Sequence, residues 1–136
     1  MTDCIFCKII KGEVPSSKIY EDDNVYAFLD ISPVNPGHTL VVPKQHCTDL
    51  YEMTNDEINA VFTTAKRIAK AVVRGVQADG VNIGMNNGKA AGQIVFHAHI
   101  HVIPRFMNDG YHHWHGKPYE GGQQAEVAKR IVTNLK

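Results

Sequence analysis

Apolar positions recur along this chain with two periods. From about Asn55 to Gln77, Ile58, Val61, Phe62, Ala65, Ile68, Ala69, Val72, Val73 and Val76 fall on one stripe of a 3.6-residue helix. Thr54 and Glu57 supply a capping box at its start. Elsewhere the apolar runs are short and bounded by turn residues. Lys18 to Glu21 and Val25 to Leu29 read as two strands of a hairpin around Asp22-Asp23-Asn24, whose side chains can bond their own backbone. Pro36 and Gly37 suit the central positions of a type II turn, after which Thr39 to Val42 predicts a third strand ended by Pro43. Val81 to Met85 and Val95 to Ile103 predict a fourth and a fifth strand, the last ended by Pro104. Ile5 to Ile10 predicts one or two helical turns, and Gln123 to Leu135 a last helix. The simplest packing of these pieces is a single α+β domain over residues 1–136: a mainly antiparallel five-stranded sheet, one long helix and short terminal helices.

Composition narrows the function classes. Lys and Arg together number 14, balanced by 14 Asp and Glu, so the totals carry none of the basic excess of a protein that neutralises many phosphates, and nonspecific nucleic-acid binding is not expected. No segment approaches 18 consecutive apolar residues, and Met1 to Lys11 lacks a signal-peptide pattern, so neither a membrane span nor export is expected. The reading is a cytoplasmic protein.

The chemistry concentrates in His97-Ala98-His99-Ile100-His101-Val102-Ile103. In a strand, alternation puts three imidazoles on one face and Ala98, Ile100 and Val102 on the other. Three titratable rings side by side gain nothing structural and repel one another when protonated, which points to a site. Two chemistries can use it: three ligands for a catalytic metal, or a nucleophile toward phosphorus whose neighbours bind phosphate oxygens. The surroundings favour the second. The upstream Asn86-Asn87-Gly88-Lys89-Ala90-Ala91-Gly92-Gln93 is rich in amides and small residues, suited to bringing N–H groups to an anion, and no Asp or Glu occurs between Val81 and Met107.

Cys4-Ile5-Phe6-Cys7 has the spacing of two zinc ligands or of a redox pair, with two ligands to be found elsewhere in the first case. Cys47 reads as an ordinary buried thiol. His112, His113 and His115 surround Trp114 in a stretch that reads as a solvated loop; covering substrate or reaching across a dimer is the sharper alternative, and these three stay outside the catalytic set.

Ala91-Gly92-Gln93-Ile94-Val95-Phe96-His97-Ala98-His99-Ile100-His101-Val102-Ile103-Pro104-Arg105 resembles the signature of the histidine-triad (HIT) superfamily. The resemblance runs through Ala27 to Pro33, Gly37 to Lys44 and the opening Cys4 to Ile10, residues 3 to about 106, with 107–136 as a tail, and is nearest to the small nucleotide-binding Hint and Fhit branches. It implies the HIT-like fold, a homodimer sharing a continuous sheet, and hydrolysis of a purine nucleotide phosphoramidate or dinucleoside polyphosphate at the α-phosphate. It implies His99 as the nucleophile and His101 as a donor to phosphate or leaving group, with His38 in the catalytic set. It further implies Asp30 on the ribose hydroxyls, Asn86 and Gln93 as phosphate donors beside Gly92 and Val95, and Phe6, Ile9, Phe28 and Ile31 around the base. Those four hydrophobics read equally well as plain core.

By the same resemblance, His46 and His97 complete a structural zinc site with Cys4 and Cys7, His38 lies in its second shell against His97, and no metal is required for the chemical step. Some Hint-branch members carry Ser or Thr where this chain has Ile94, which removes one phosphate-facing hydroxyl and leaves the choice between the two substrate classes open. Two other functions stand beside this one: a zinc hydrolase with all three triad histidines as ligands, and a noncatalytic nucleotide-binding adaptor.

Overall fold

The computed structural model describes residues 3–135. Strands β1 (Lys18–Glu21), β2 (Val25–Leu29), β3 (Thr39–Pro43), β4 (Gly80–Gly84) and β5 (Ile100–Arg105) form one antiparallel sheet in the order β1-β2-β3-β5-β4. Helices α1 (Ile5–Ile10), α2 (Asn55–Val76) and α3 (Gln123–Thr133) complete the α+β architecture expected from the sequence. None of the described helices is long and apolar enough to cross a membrane.

Strand pleating divides the interior into two cores. Val25, Ala27, Val41, Ile100 and Val102 point to one face, where they meet Val61, Ala65, Ile68, Ala69 and Val72 of α2. Tyr26, Phe28, Leu40 and Val42 point to the other and meet Phe6 and Ile9 of α1. Full burial of a side chain such as Ile100 contributes about 1.5–3 kcal/mol, which keeps the parity of every central strand fixed. The second, smaller core opens into the site.

The predicted start of α2 holds: Thr54 Oγ1 accepts from the Glu57 N–H at 3.1 Å while Glu57 Oε1 accepts from the Thr54 N–H at 2.8 Å. The helix stops one residue early because Gln77 turns left-handed at φ 57°. The predicted turns also form. Asp22 Oδ1 accepts from the Asn24 and Val25 N–H groups, and the His38 N–H closes the turn through Pro36 and Gly37 onto the Asn35 carbonyl. Gly37 is required there: its φ is +103°, and a Cβ would lie 3.0 Å from Val76 Cγ1.

Several boundaries differ from expectation. Val95 to His99 precede β5 instead of opening it, because the ladders end at Val41↔Ile100 on one side and Gly84↔His101 on the other. Pro104 lies inside β5, paired with Val81 and followed by Arg105, whereas Pro43, paired with Val25, is the last residue of β3 and ends it as expected. Two 3-10 turns, Leu50–Glu52 and Lys89–Ala91, carry no apolar period and went unpredicted.

Candidate active site

Although His97 and His99 lie outside the ladder, the alternation persists. Ala98, Ile100 and Val102 stay in the α2 core, while the His97 and His99 rings stand edge-on to Phe6, with centroids 5.9 and 5.1 Å away. The His101 ring centroid is 4.9 Å from that of His99. A cavity of about 480 Å³ opens on His99 and His101. Its apolar lining includes Phe6, Ile9, Phe28, Ile31 and Val95, and Asp30, Asn86 and Gly92 also line it. Phe6, Ile9 and Phe28 serve core and wall at once, whereas Ile31, 96% exposed, belongs to the wall alone.

Hydrogen bonds fix which nitrogen of each ring carries its proton. His99 Nδ1 lies 2.7 Å from the His97 carbonyl, an obligate acceptor, so Nδ1 is the N–H and Nε2 keeps its lone pair. His38 Nδ1 accepts from the Val34 N–H at 3.1 Å, which puts the His38 proton on Nε2. That Nε2–H points at His101 Nδ1, 2.9 Å away, so neutral His101 carries its own proton on Nε2. The nucleophile candidate thus presents a lone pair and its neighbour a donor. Burial lowers His38 and His99 below the ordinary imidazole value and pushes His101 down to about 4, which keeps all three neutral near pH 7.

Asp30 faces the same cavity. Its Oδ1 accepts from the Ser32 N–H at 2.9 Å, and Oδ2 stands 3.7 Å from His38 Nε2. Among the described residues nothing hydrogen-bonds the Asn86 side-chain amide, which leaves it available to an oxyanion.

Gln93 has a different place from the one expected. It is buried, its Nε2 donates to the Thr48 and Val95 carbonyls at 2.6 and 3.1 Å, and its Oε1 accepts from the Gly88 N–H at 2.9 Å. With both donors spent, it braces the loop. The loop's own amides are also turned inward: those of Ala91, Gly92 and Gln93 donate to carbonyls within it.

Behind the pocket, Cys4 Sγ, Cys7 Sγ, His46 Nδ1 and His97 Nδ1 lie within 4.8 Å of one another. His97 Nε2–H donates to the Pro43 carbonyl at 2.8 Å, so its Nδ1 presents a lone pair to the thiols. The Cys4–His97, Cys7–His46 and Cys7–His97 separations are 3.4, 3.4 and 3.6 Å, and the two histidine nitrogens are 3.2 Å apart. A zinc tetrahedron with ordinary bond lengths has S–N edges of about 3.5 Å and N–N edges of about 3.3 Å. The donor set fits zinc. Contrary to expectation, His38 is not in its second shell: His97 Nε2 is taken by the Pro43 carbonyl, and His38 turns to His101. Cys47 is the inert thiol the sequence suggested, and burial pushes it up to about 11.

The HIT domain family matches residues 11–108. The chain belongs to the HIT family. This HIT protein is 50% identical over 137 residues to Protein hit of Bacillus subtilis, covering 98% of this chain and 94% of that one. It is 45% identical over 107 residues to the adenylylsulfatase HINT3 of Arabidopsis thaliana, covering 79% of this chain and 54% of that one. Among solved structures it resembles SMU.412c of Streptococcus mutans with a TM-score of 0.93 at 43% identity, over 100% of this chain and 87% of that one. It also resembles a zinc-bound histidine triad family protein of Mycobacterium smegmatis, with a TM-score of 0.77 at 39% identity over 99% of each chain.

Several parts of the HIT protein's site escaped sequence reasoning. The Val34 N–H and the carbonyls of Pro43, Thr48 and His97 are main-chain groups, which a sequence does not single out. A second cleft, beyond His101 and His38, is lined also by His112, His113 and Trp114. The predicted loop therefore reaches the far side of the histidine relay.

Proposed function

We propose that this protein hydrolyses the bond joining a purine nucleotide's α-phosphate to its leaving group, with His99 as the nucleophile. The observation that carries the reading is the tautomer of His99: Nδ1–H is held by the His97 carbonyl, which leaves a neutral, buried Nε2 lone pair at the mouth of an apolar pocket. Nε2 attacks phosphorus, and the P–N or P–O bond breaks with its electron pair leaving on the departing atom. Water then attacks phosphorus, the P–Nε2 bond returns its pair to His99, and nucleoside monophosphate is released. One water is consumed overall. The His97 carbonyl favours the imidazolium-like intermediate by accepting its Nδ1–H.

His101 donates its Nε2–H to a phosphate oxygen or to the departing atom. A hydrogen bond is the proper description, because full transfer from the neutral His38–His101 pair would leave a buried imidazolate. This suits leaving groups that are already good or arrive protonated, such as a polyphosphate or an amine. Asp30 accepts from the ribose hydroxyls, Asn86 donates to the phosphate, and Phe6, Ile9, Phe28 and Ile31 hold the base. The adenylylsulfatase relative supports a nucleotide with a good leaving group at its α-phosphate. We further propose structural zinc on Cys4, Cys7, His46 and His97, supported by the zinc-bound relative and the closeness of the four donors, and, from the family resemblance alone, a homodimer.

The test is intact-mass measurement after rapid quenching of the protein with an adenosine phosphoramidate and, separately, a diadenosine polyphosphate. A transient AMP adduct on the wild type and none on His99→Ala is expected. Turnover of either substrate by His99→Ala at the wild-type rate overturns the assignment. AMP binding without adduct or turnover of either substrate would make the protein a nucleotide-binding adaptor.

A further inference from the structure

We propose that Asn35 is a positioning residue: by pinning the turn that carries the Val34 N–H, it sets the tautomer of His38 and, through it, makes His101 present a donor. Its consequence for turnover rests on the function proposed above, whereas the tautomer does not.

Two imidazoles in contact can share protons in two neutral ways. In one, His38 Nε2–H donates to His101 Nδ1 and His101 faces outward with Nε2–H. In the other, His101 Nδ1–H donates to His38 Nε2 and His101 faces outward with a lone pair, which a phosphate oxygen repels. The choice is made at the far end, at His38 Nδ1, where the structure places the Val34 N–H at 3.1 Å. With that donor in place, a proton on Nδ1 would face another proton. The inward side of the buried His38 ring therefore depends on one main-chain amide in a proline-flanked loop.

Asn35 holds that loop. Its Nδ2 donates to the Pro104 carbonyl at 2.9 Å and to Asp109 Oδ2 at 3.1 Å, two acceptors that leave no doubt which end of the amide is nitrogen. Its carbonyl accepts the His38 N–H at 3.0 Å. Asp109 is anchored in turn by Arg105 Nε and Nη2 at 2.8 and 3.0 Å and by the Phe106 and Tyr111 amides at 3.1 and 3.0 Å. Arg105 and Pro104 end β5, the strand that carries His101. One polar cluster thus ties the donor at one end of the relay to the strand at its other end. Asn35 itself lines neither the pocket nor the cleft.

The experiment is a long-range 1H–15N spectrum of histidine-labelled protein, wild type against Asn35→Ala, which reports the protonated nitrogen of each ring directly. The wild type should show His38 and His101 as Nε2–H. In Asn35→Ala the Nδ1–H form of His101 should appear, with kcat falling roughly 10- to 100-fold, less than the roughly 100- to 1000-fold of deleting a preorganised donor outright because only part of the His101 population changes form, and KM nearly unchanged. Should Asn35→Ala fail to fold, Asn35→Asp keeps the volume, removes the N–H donor and carries the same test. A folded variant that keeps both rings as Nε2–H overturns the proposal. A tautomer shift in a protein whose wild type turns over no nucleotide would leave the positioning role standing and sink the hydrolase reading.

Discussion

His38 Nε2 and His101 Nδ1 face each other at 2.9 Å, and that hydrogen bond bears on which of two chemistries the cluster suits. Asp30, His38 and His101 bring three ligand-type atoms within 4.8 Å of one another, the donor set of an open metal site. But His38 Nδ1 is occupied by the Val34 N–H, so a metal on Nε2 would require an imidazolate or the loss of that bond. Of the other two triad members, His97 points its lone pair away from the pocket toward the cysteines. The geometry disfavours the zinc-hydrolase reading and supports the phosphorus nucleophile.

Zinc should matter to stability more than to chemistry. Chelation of the protein, or Cys4→Ser with Cys7→Ser, is expected to remove one zinc per chain and lower Tm by roughly 10 °C, the shift that a loss of about 2–3 kcal/mol produces in a domain of this size. Elemental analysis alongside thermal denaturation checks it. Zinc content near zero in wild type purified without chelator would be the contrary result.

Acid should weaken the fold above the pH at which His101 is protonated. Burial pushes His101 down to about 4 and lowers His38 as well, from an ordinary value of 6.5. As pH drops through that window the unfolded chain binds protons and the native chain does not, so stability is full above it and is lost on the way down. Urea midpoints should therefore fall between about pH 7 and pH 5, with a shallower slope in His101→Asn. An unchanged slope in that variant contradicts the assignment. The acid limb of kcat/KM should likewise lie below 6.5.

Asp30→Ala should raise KM for ribonucleotide substrates by roughly 10- to 100-fold, the worth of hydrogen bonds to a charged acceptor. The effect should shrink for the matching 2′,3′-dideoxy substrate, because the wild type gains nothing there either. Equal losses on both substrates would assign Asp30 to the loop it caps through Ser32.

Gln93→Ala removes three hydrogen bonds from a side chain that is 3% exposed and strips two partly buried carbonyls and one N–H of that partner. A loss of about 2–4 kcal/mol is expected by denaturation, with nucleotide affinity impaired only through the loop. A variant of wild-type stability and selectively reduced phosphate affinity would restore Gln93 to the role of phosphate donor.

Much of this was legible because it depends on period. The α2 stripe, its capping box, the hairpin at Asp22 and the parity of the histidine segment are local patterns with mechanical causes, and the structure reproduces each. Residues that choose among partners were less legible. The amide of Gln93 serves phosphate or loop with equal chemistry, and only the approach of the Thr48 carbonyl settles it. His38 has two histidine neighbours in reach of expectation, and the Pro43 carbonyl removes one of them. The strand boundaries at Val95 and Pro104 were missed because a partner strand, not the segment's own sequence, determines where a ladder ends.

The alternation of the histidine segment has a consequence for which mutations it can survive. Single substitutions between residues 97 and 102 each disturb one face, but inserting or deleting one residue there exchanges the faces, sending imidazoles under α2 and turning Ala98, Ile100 and Val102 toward the pocket. A substitution there costs one contact or one role, whereas a change of length costs both faces together.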